Sequence, residues 1–214
     1  MKLYKIFGKH KTWGTVETGF RSKRFASYEE YIAHQSAKLS TIKTLDKKWE
    51  RLKAGLRERL ADVPEVRRGA NGLCLGARLG GEVEAFIEFG VFAIGIDLNP
   101  GTANRYVVTG DFHSIQYADA SIDVIYSNSL DHVYDLEKVV AEVKRLLKPE
   151  GVFIAELNHG TKDEKGRDPG YFASASWDYV EQVVEKISAL GLTVRRKSEM
   201  TVPFGGLHVV FGKA

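Results

Sequence analysis

The chain has a single cysteine, Cys74, in 214 residues. That excludes an internal disulfide and any zinc cage built from several thiolates. Long apolar runs are missing as well. The opening MKLYKIFGKHK has no stretch of signal-peptide length, and no later segment approaches the roughly 20 apolar residues of a membrane-spanning helix. A cytoplasmic protein without a membrane partner is expected. There is no internal repeat and no low-complexity tract. Overall charge is nearly balanced, with 31 Lys/Arg against 28 Asp/Glu, but the balance hides an asymmetry. Residues 1–68 carry 17 Lys/Arg and 8 Asp/Glu, and residues 69–214 carry 14 and 20, so a basic front of +9 precedes an acidic body of −6. A solvated helical face accounts for the front, and an anion-binding arm is the other reading. What remains, 43% hydrophobic and 28% charged residues, is that of a globular domain with an accessory segment.

Residues 1–24 are basic, glycine-dotted and without a period, and read as extended or partly disordered. SYEE then supplies a capping box, with Ser27 as cap and Glu30 three residues on. Tyr31, Ile32, Leu39, Ile42, Leu45, Trp49, Leu52, Leu56 and Leu60 recur at helical spacing. Thr44 and Asp46 are caps for a second helix, so one helix or two fit the pattern, and Pro64 closes the segment. Residues 1–64 are thus read as a basic arm and helical cap, and 65–214 as the main domain. From residue 70, short apolar runs alternate with amphipathic helices. Strands are expected at GLCLG (72–76), VFAIGID (91–97), YVVTG (106–110), IDVIYSN (122–128), VFIAEL (152–157), LTVRRKSEM (192–200) and GLHVVFG (206–212), the last two close enough for a hairpin. One helix runs from Leu136 to Leu147, capped by Asp135 and stopped by Pro149 and Gly151, and another from Trp177 to Leu190. The fold class is α/β: a mostly parallel, seven-stranded, Rossmann-like sheet with helices on both faces, plus an N-terminal helical segment.

Ligands of such a sheet bind outside the carboxyl ends of its strands, where the strand order reverses. Four strand ends fall there in succession. The first is Gly76-Ala77-Arg78-Leu79-Gly80-Gly81, a turn opening a helix N-terminus. The second ends in Asp97, suitably placed for a carboxylate that takes both hydroxyls of a ribose. The third ends in Gly110-Asp111-Phe112, an acid and a backbone amide able to read an adenine edge. The fourth ends in Ser127-Asn128-Ser129. Each alone is explained by turn chemistry, since Asn99-Pro100-Gly101 is a turn signal and glycines serve any tight strand-to-helix connection. Four in order are not.

In GLCLGARLGGEV, AIGIDLNP, VVTGDFHSIQYADASIDVIYSNSLDHVYD and LEKVVAEVKRLLKPEGVFIAEL, residues 70–160 resemble a class I S-adenosylmethionine-dependent methyltransferase of the small-molecule type. The helix–KPEG–strand string is the most diagnostic, because dehydrogenases do not share it. The resemblance implies that Gly76 and Gly80 shape the methionine pocket and that Asp97 holds the ribose. Leu98 packs on adenine, Asp111 takes the exocyclic amine, and Asn128 lies near the methionine amino group. The chain departs from the family twice: Cys74 stands where an acid is usual, and Arg78 where the middle glycine is usual. A dinucleotide loop must leave room for a pyrophosphate. S-adenosyl-L-methionine has none, and its carboxylate is a partner for an Arg78 fork; a surface salt bridge is the alternative for that side chain.

Methyl transfer chiefly requires acceptor and donor to be held in line. A hydroxyl acceptor also needs a base, for which SNSLDH offers His132 beside Asp131, and ELNHG offers His159 and Glu156. His132 ranks slightly ahead; packing and loop-tip roles are the alternatives for the two histidines. His10, His34, His113 and His208 are less well placed. Asp131, His132 and His159 lack a metal-ligand spacing, so no metal is expected. NHGTKDEKGRDPGYFASAS (158–176) reads as a substrate loop or a plain connection. The N-terminal helices are candidates to cover the same mouth or to form a homodimer contact. The expected function is methylation of a small molecule, a sugar or other hydroxylated metabolite. An RNA methyltransferase using the basic front is the alternative, disfavoured because no RNA-binding module is recognisable. A non-catalytic nucleotide-binding regulatory module is a third reading. A nicotinamide dehydrogenase is the weakest, since Arg78 breaks the G-x-G-x-x-G spacing.

Overall fold

The computed structural model describes residues 13–14, 19–41 and 46–214, with side chains described at 13–14, 19–40 and 50–214. Most of the extended reading of residues 1–24, the cap at Thr44, and the ladder positions Ile42, Leu45 and the Trp49 side chain lie outside the described residues. The first described elements are β1 (Phe20–Ser22), α1 (Tyr28–Ser36), a 3-10 turn at Ala37–Thr41 and α2 (Asp46–Ala61), so the N-terminal period divides into two helices. Ser27 caps α1 through its side chain, which accepts from the Glu30 amide at 3.3 Å. The returning Glu30 carboxylate accepts from Ala26, one residue before the cap, at 2.6 Å.

The remaining elements are β2 (Asn71–Leu75), α3 (Gly81–Glu88), β3 (Phe92–Asp97), β4 (Val107–Thr109), β5 (Ile122–Ser127), α4 (Leu136–Leu146), β6 (Leu147–Asn158), β7 (Ala175–Trp177), α5 (Val180–Ala189), β8 (Leu192–Met200) and β9 (Gly206–Lys213). Seven strands form one sheet in the order β4-β3-β2-β5-β6-β9-β8. The first five are mutually parallel, and β9 runs antiparallel between β6 and β8. The final hairpin forms as its short connection implies.

Two elements differ from the sequence pattern. The helix expected from Trp177 begins at Val180, because β7 takes Trp177. Its indole is buried and donates to the Asn158 carbonyl at 2.9 Å, while the ring stacks on Phe20 across the β1–β7 pair. The strand expected from Val152 begins at Leu147, which is fully buried and pairs with Ile122, so α4 passes directly into β6.

Alternation along the strands divides the core. Leu73, Leu75, Ile125, Phe153, Ala155, Val209 and Phe211 face one way and pack on α4 and α5. Cys74, Val124, Tyr126, Val152, Ile154 and Val210 face the other and pack on α3 and on Leu56 and Leu60 of α2. Each fully buried aliphatic side chain is worth about 1.5–3 kcal/mol, so neither helical layer can be stripped from the sheet cheaply. α2 is also tied to α3 by Lys53–Glu84 at 2.8 Å and by an Arg57–Glu88 pair. The strand order reverses between β2 and β5, where Leu75 pairs with Ser127, and the crevice opens beyond that pair.

The loop after β2 can lie on β3 only because Gly95 has no side chain. A Cβ there would stand 2.6 Å from the Ala77 Cβ and 2.9 Å from Val107 Cγ2. Gly95→Ala is therefore expected to cost about 1–3 kcal/mol of overpacking, read as a lower urea midpoint with an unchanged slope.

Candidate active site

Asp97 stands at the carboxyl end of β3, almost fully buried. It accepts from the Arg78 amide at 3.1 Å and the Asn99 amide at 2.8 Å. A carboxylate offers about four lone-pair positions, so two remain for a pair of hydroxyls. Gly76, at φ +69°, lies against Ser129, whose Cβ would be 2.8 Å from a Cβ at Gly76. Ala77 is buried as packing against β3, and Gly80, at φ +86°, starts α3. Arg78 occupies the position of the missing glycine with φ +39°. A non-glycine residue in this region costs on the order of 1–3 kcal/mol and persists where its surroundings fix it. Here the Arg78 carbonyl accepts from Asn104 at 2.9 Å and its side chain turns back to Asp97, Nε–Oδ2 3.7 Å. Its Nη1 is buried without a hydrogen-bond partner. An unpaired guanidinium nitrogen, a carboxylate with open lone pairs and a glycine cradle together suit a ligand with hydroxyls and a carboxylate.

The cleft they border is nearly closed. Gly76, Arg78, Asp97, Leu98 and Phe112 surround it with Ser129 and His132, but Tyr31 and Gln35 of α1 enter from above and leave about 20 Å³, room for one water. Asp111 stands outside that space. It accepts from the Tyr28 hydroxyl and from His113, whose amide and Nδ1 are each 2.8 Å away. Burial pushes its carboxyl up, but these donors outweigh burial and hold it below the ordinary carboxylate value. Asn128 is half-buried, accepts from Ser129 at 3.1 Å and does not border the cleft. Glu82, in the first turn of α3, is buried, and its carboxyl is pushed up to about 8. Burial is the main cause, its own amide opposes, Asp97 and Glu156 add to the rise, and Arg78 opposes.

A second cavity of about 370 Å³ lies alongside, within the size range of small-molecule sites. Segment 158–177 supplies most of its wall, including His159, Arg167, Tyr171 and Phe172, and Lys38 enters from the turn after α1. His159 faces Asp163, Nδ1–Oδ2 3.8 Å. Glu156 is not part of this wall. It lies buried on the α2 side of the sheet, bonded to Arg59 at 2.7 Å and Tyr126 at 2.9 Å. His132 borders both cavities. Its Nδ1 donates to the Phe172 carbonyl at 2.9 Å, which leaves Nε2 as the acceptor, with Lys38 Nζ at 2.6 Å and Asp131 Oδ1 at 3.6 Å. Burial, more than anything else, holds the imidazole below its ordinary value; Lys38 and Arg78 act the same way, and Asp131 and the Phe172 carbonyl oppose. Its Nε2 lone pair, which accepts from Lys38, lies where the two cavities meet.

Sheet order and strand-end chemistry together define a class I methyltransferase fold. Residues 73–155 match the family described as "Methyltransferase domain". Among curated proteins it is similar to "Sterol 4-C-methyltransferase strm-1" of Caenorhabditis elegans, 25% identical across 77% of this chain and 60% of that protein. It is 32% identical to "24-methylenesterol C-methyltransferase 2" of Oryza sativa across 46% of this chain and 31% of that one. The chain thus spans between a third and three fifths of the length of these relatives. Among solved structures, "1,6-didemethyltoxoflavin-N1-methyltransferase" of Burkholderia thailandensis, which has S-adenosylhomocysteine bound, superposes with TM-score 0.64 at 17% identity, over 94% of this chain and 99% of that one. The methyltransferase in the Haloferax volcanii Trm112 complex gives 0.66 at 18% identity, over 86% and 97%. At these identities the two structures establish the fold.

Glu82 gives the site a titration of its own. Its carboxyl binds a proton more tightly in the folded chain than in the unfolded one, so its contribution to stability is complete below pH 4.5 and is lost as pH rises through about 8. Glu82→Gln is expected to gain a few kcal/mol over the wild type at pH 9 and nearly nothing at pH 4.5, by urea denaturation at both values.

Proposed function

We propose that the chain is an S-adenosyl-L-methionine-dependent methyltransferase acting on a hydroxylated small molecule, with His132 as the base. The observation that carries this reading is the position of His132 on both cavities at once. In it Gly76, Arg78, Asp97, Leu98 and Phe112 hold the methyl donor, which supplies a sulfonium-activated carbon. Asp97 takes the ribose hydroxyls and Arg78 turns from Asp97 to the carboxylate. The Tyr31 and Gln35 side chains must yield space for it, while the Asn99 bond to the Ser36 carbonyl keeps the end of α1, and with it Lys38, in place. Segment 158–177 and Lys38 hold the acceptor. His132 takes the acceptor proton at Nε2, while the Phe172 carbonyl fixes its tautomer.

The curated relatives are named for sterols, and a small-molecule acceptor agrees with them at that level. The cavity argues for a more polar acceptor. Lys38, Asp131, His132, Arg167 and Asp168 line it, and a fused hydrocarbon ring system would desolvate these groups without offering them a hydrogen bond. Among the described residues no helix is long and apolar enough to cross a membrane.

Labelled S-adenosylmethionine incubated with cell extract, then separated into RNA, protein, glycan and metabolite fractions, identifies the class of acceptor. Label appearing only in an RNA fraction would overturn the small-molecule reading. Asp97→Ala should weaken S-adenosylmethionine binding by about 1.5–3 kcal/mol in calorimetry, a loss of roughly 10- to 150-fold in affinity. His132→Ala should cut turnover by about a hundred- to ten-thousand-fold and leave that binding unchanged. Because burial holds His132 low, wild-type turnover should fall to half its plateau at a pH below the ordinary histidine value of about 6.5.

A further inference from the structure

Lys38 arrives at the acceptor cavity by a route that nothing in the glycine loop or the strand ends foreshadows. It sits in the 3-10 turn Ala37–Thr41, between α1 and α2. Hydrogen bonds from the end of α1 fix that turn against the domain. Asn99 Nδ2 donates to the Ser36 carbonyl at 2.9 Å, and Gln35 Nε2 donates to the Phe172 carbonyl at 2.8 Å and to Ser174 Oγ at 2.7 Å. The Tyr31 hydroxyl donates to the carbonyl of His132 itself at 3.0 Å. The ammonium is thereby held 2.6 Å from His132 Nε2, and both groups border the same 370 Å³ cavity.

We propose that Lys38 is the second polar contact of the acceptor atom, and that its ammonium selects an acceptor oxygen reacting with oxyanion character, such as a phenol or an enol, over amines and alkenes. This rests on the reading of His132 as the base. With Nδ1 committed to Phe172, Nε2 is the one ring atom that can take a proton. A hydroxyl placed there takes over the Nε2 lone pair from Lys38, whose N–H turns to the hydroxyl oxygen instead. The acceptor O–H bond breaks with its proton passing to Nε2. The oxygen pair forms the O–CH₃ bond, and the pair from the breaking S–CH₃ bond stays on sulfur as a neutral thioether. Lys38 keeps its protons throughout, and the imidazolium later gives its proton to water. Negative charge develops on the oxygen as the proton leaves, and a fixed ammonium stabilises charge of that sign.

The same ammonium works against the other acceptor classes. An amine reaches the site protonated and meets a like charge. An alkene offers no lone pair and leaves the ammonium desolvated. The groups facing the His132 ring are Lys38, Asp131, Arg78 and the Phe172 carbonyl. Asp131, 3.6 Å from Nε2, supports the imidazolium once the proton has moved.

The test uses para-nitrophenol as an acceptor mimic and reads its ionisation by absorbance, with no turnover needed. Bound to the wild type, its apparent pKa should drop by about one unit, a tenfold preference for the anion. Lys38→Arg should keep most of the drop, and Lys38→Gln should abolish it. An amine of similar shape that is a cation at neutral pH, para-nitrobenzylamine, should bind far more weakly, and binding as tight as that of the nitrophenol would overturn the selection against amines. Histidine-labelled NMR should show the His132 titration moving upward in Lys38→Gln, because a neighbouring positive charge is gone. No nitrophenol binding, binding without the drop, an equal drop in Lys38→Gln, or an unmoved His132 titration would each overturn the proposal. Calorimetry with S-adenosylmethionine separates this from the broader reading. Lys38→Gln should bind it as the wild type does, and a wild type that fails to bind it while the nitrophenolate signature holds would sink the methyltransferase reading but not the Lys38 site.

Discussion

Asp97 ties the crevice together. Its carboxylate accepts an amide from the loop after β2 and another from the loop after β3, so two connections that diverge from the sheet are pinned to one buried charge. The strained backbone of Arg78 follows from that pinning, because its amide must point at Asp97 while its carbonyl meets Asn104. Glu82 is linked to Asp97 as well: burial above all pushes its carboxyl up, and the Asp97 carboxylate adds to the rise.

The sheet was legible in the sequence because its signals are local and mutually consistent. GLCLG, VFAIGID and IDVIYSN are apolar on both faces, which only a covered parallel sheet requires. The glycines of the first loop stand where the backbone has positive φ, and Asp97 ends its strand. Trp177 was misplaced because an aromatic before a helical period extends that period equally well. Only the distant partner strand at Phe20–Ser22 decides for β7. Tyr31, Gln35 and Lys38 illustrate the other limit. Each sits in or just after a helix, where its face toward the crevice depends on how α1 docks, and no local pattern encodes that angle. Asp111 is a third case. Its strand-end position suggested an adenine contact, and the pairing with Tyr28 and His113 depends on chain more than 80 residues upstream as well as on its neighbour.

The two cavities divide by origin. Strand ends of the sheet border the narrow cleft, where backbone geometry matters most and residue choice is narrow. The wall of the larger cavity comes from pieces outside the sheet ladder: the turn after α1 and the segment following β6. In the proposed reading, such a division lets acceptor chemistry vary while the donor side stays constant.

The three-residue pairing of β1 with β7 has a practical side. Phe20 to Ser22 is stitched to Ala175 to Trp177, and the Lys23 amide donates to the Ser174 carbonyl at 2.7 Å, beside the wall of the larger cavity. Residues 20–23 are thus a brace for that wall rather than a handle, and a fusion or protease cut that displaces them acts on the shape of the cavity.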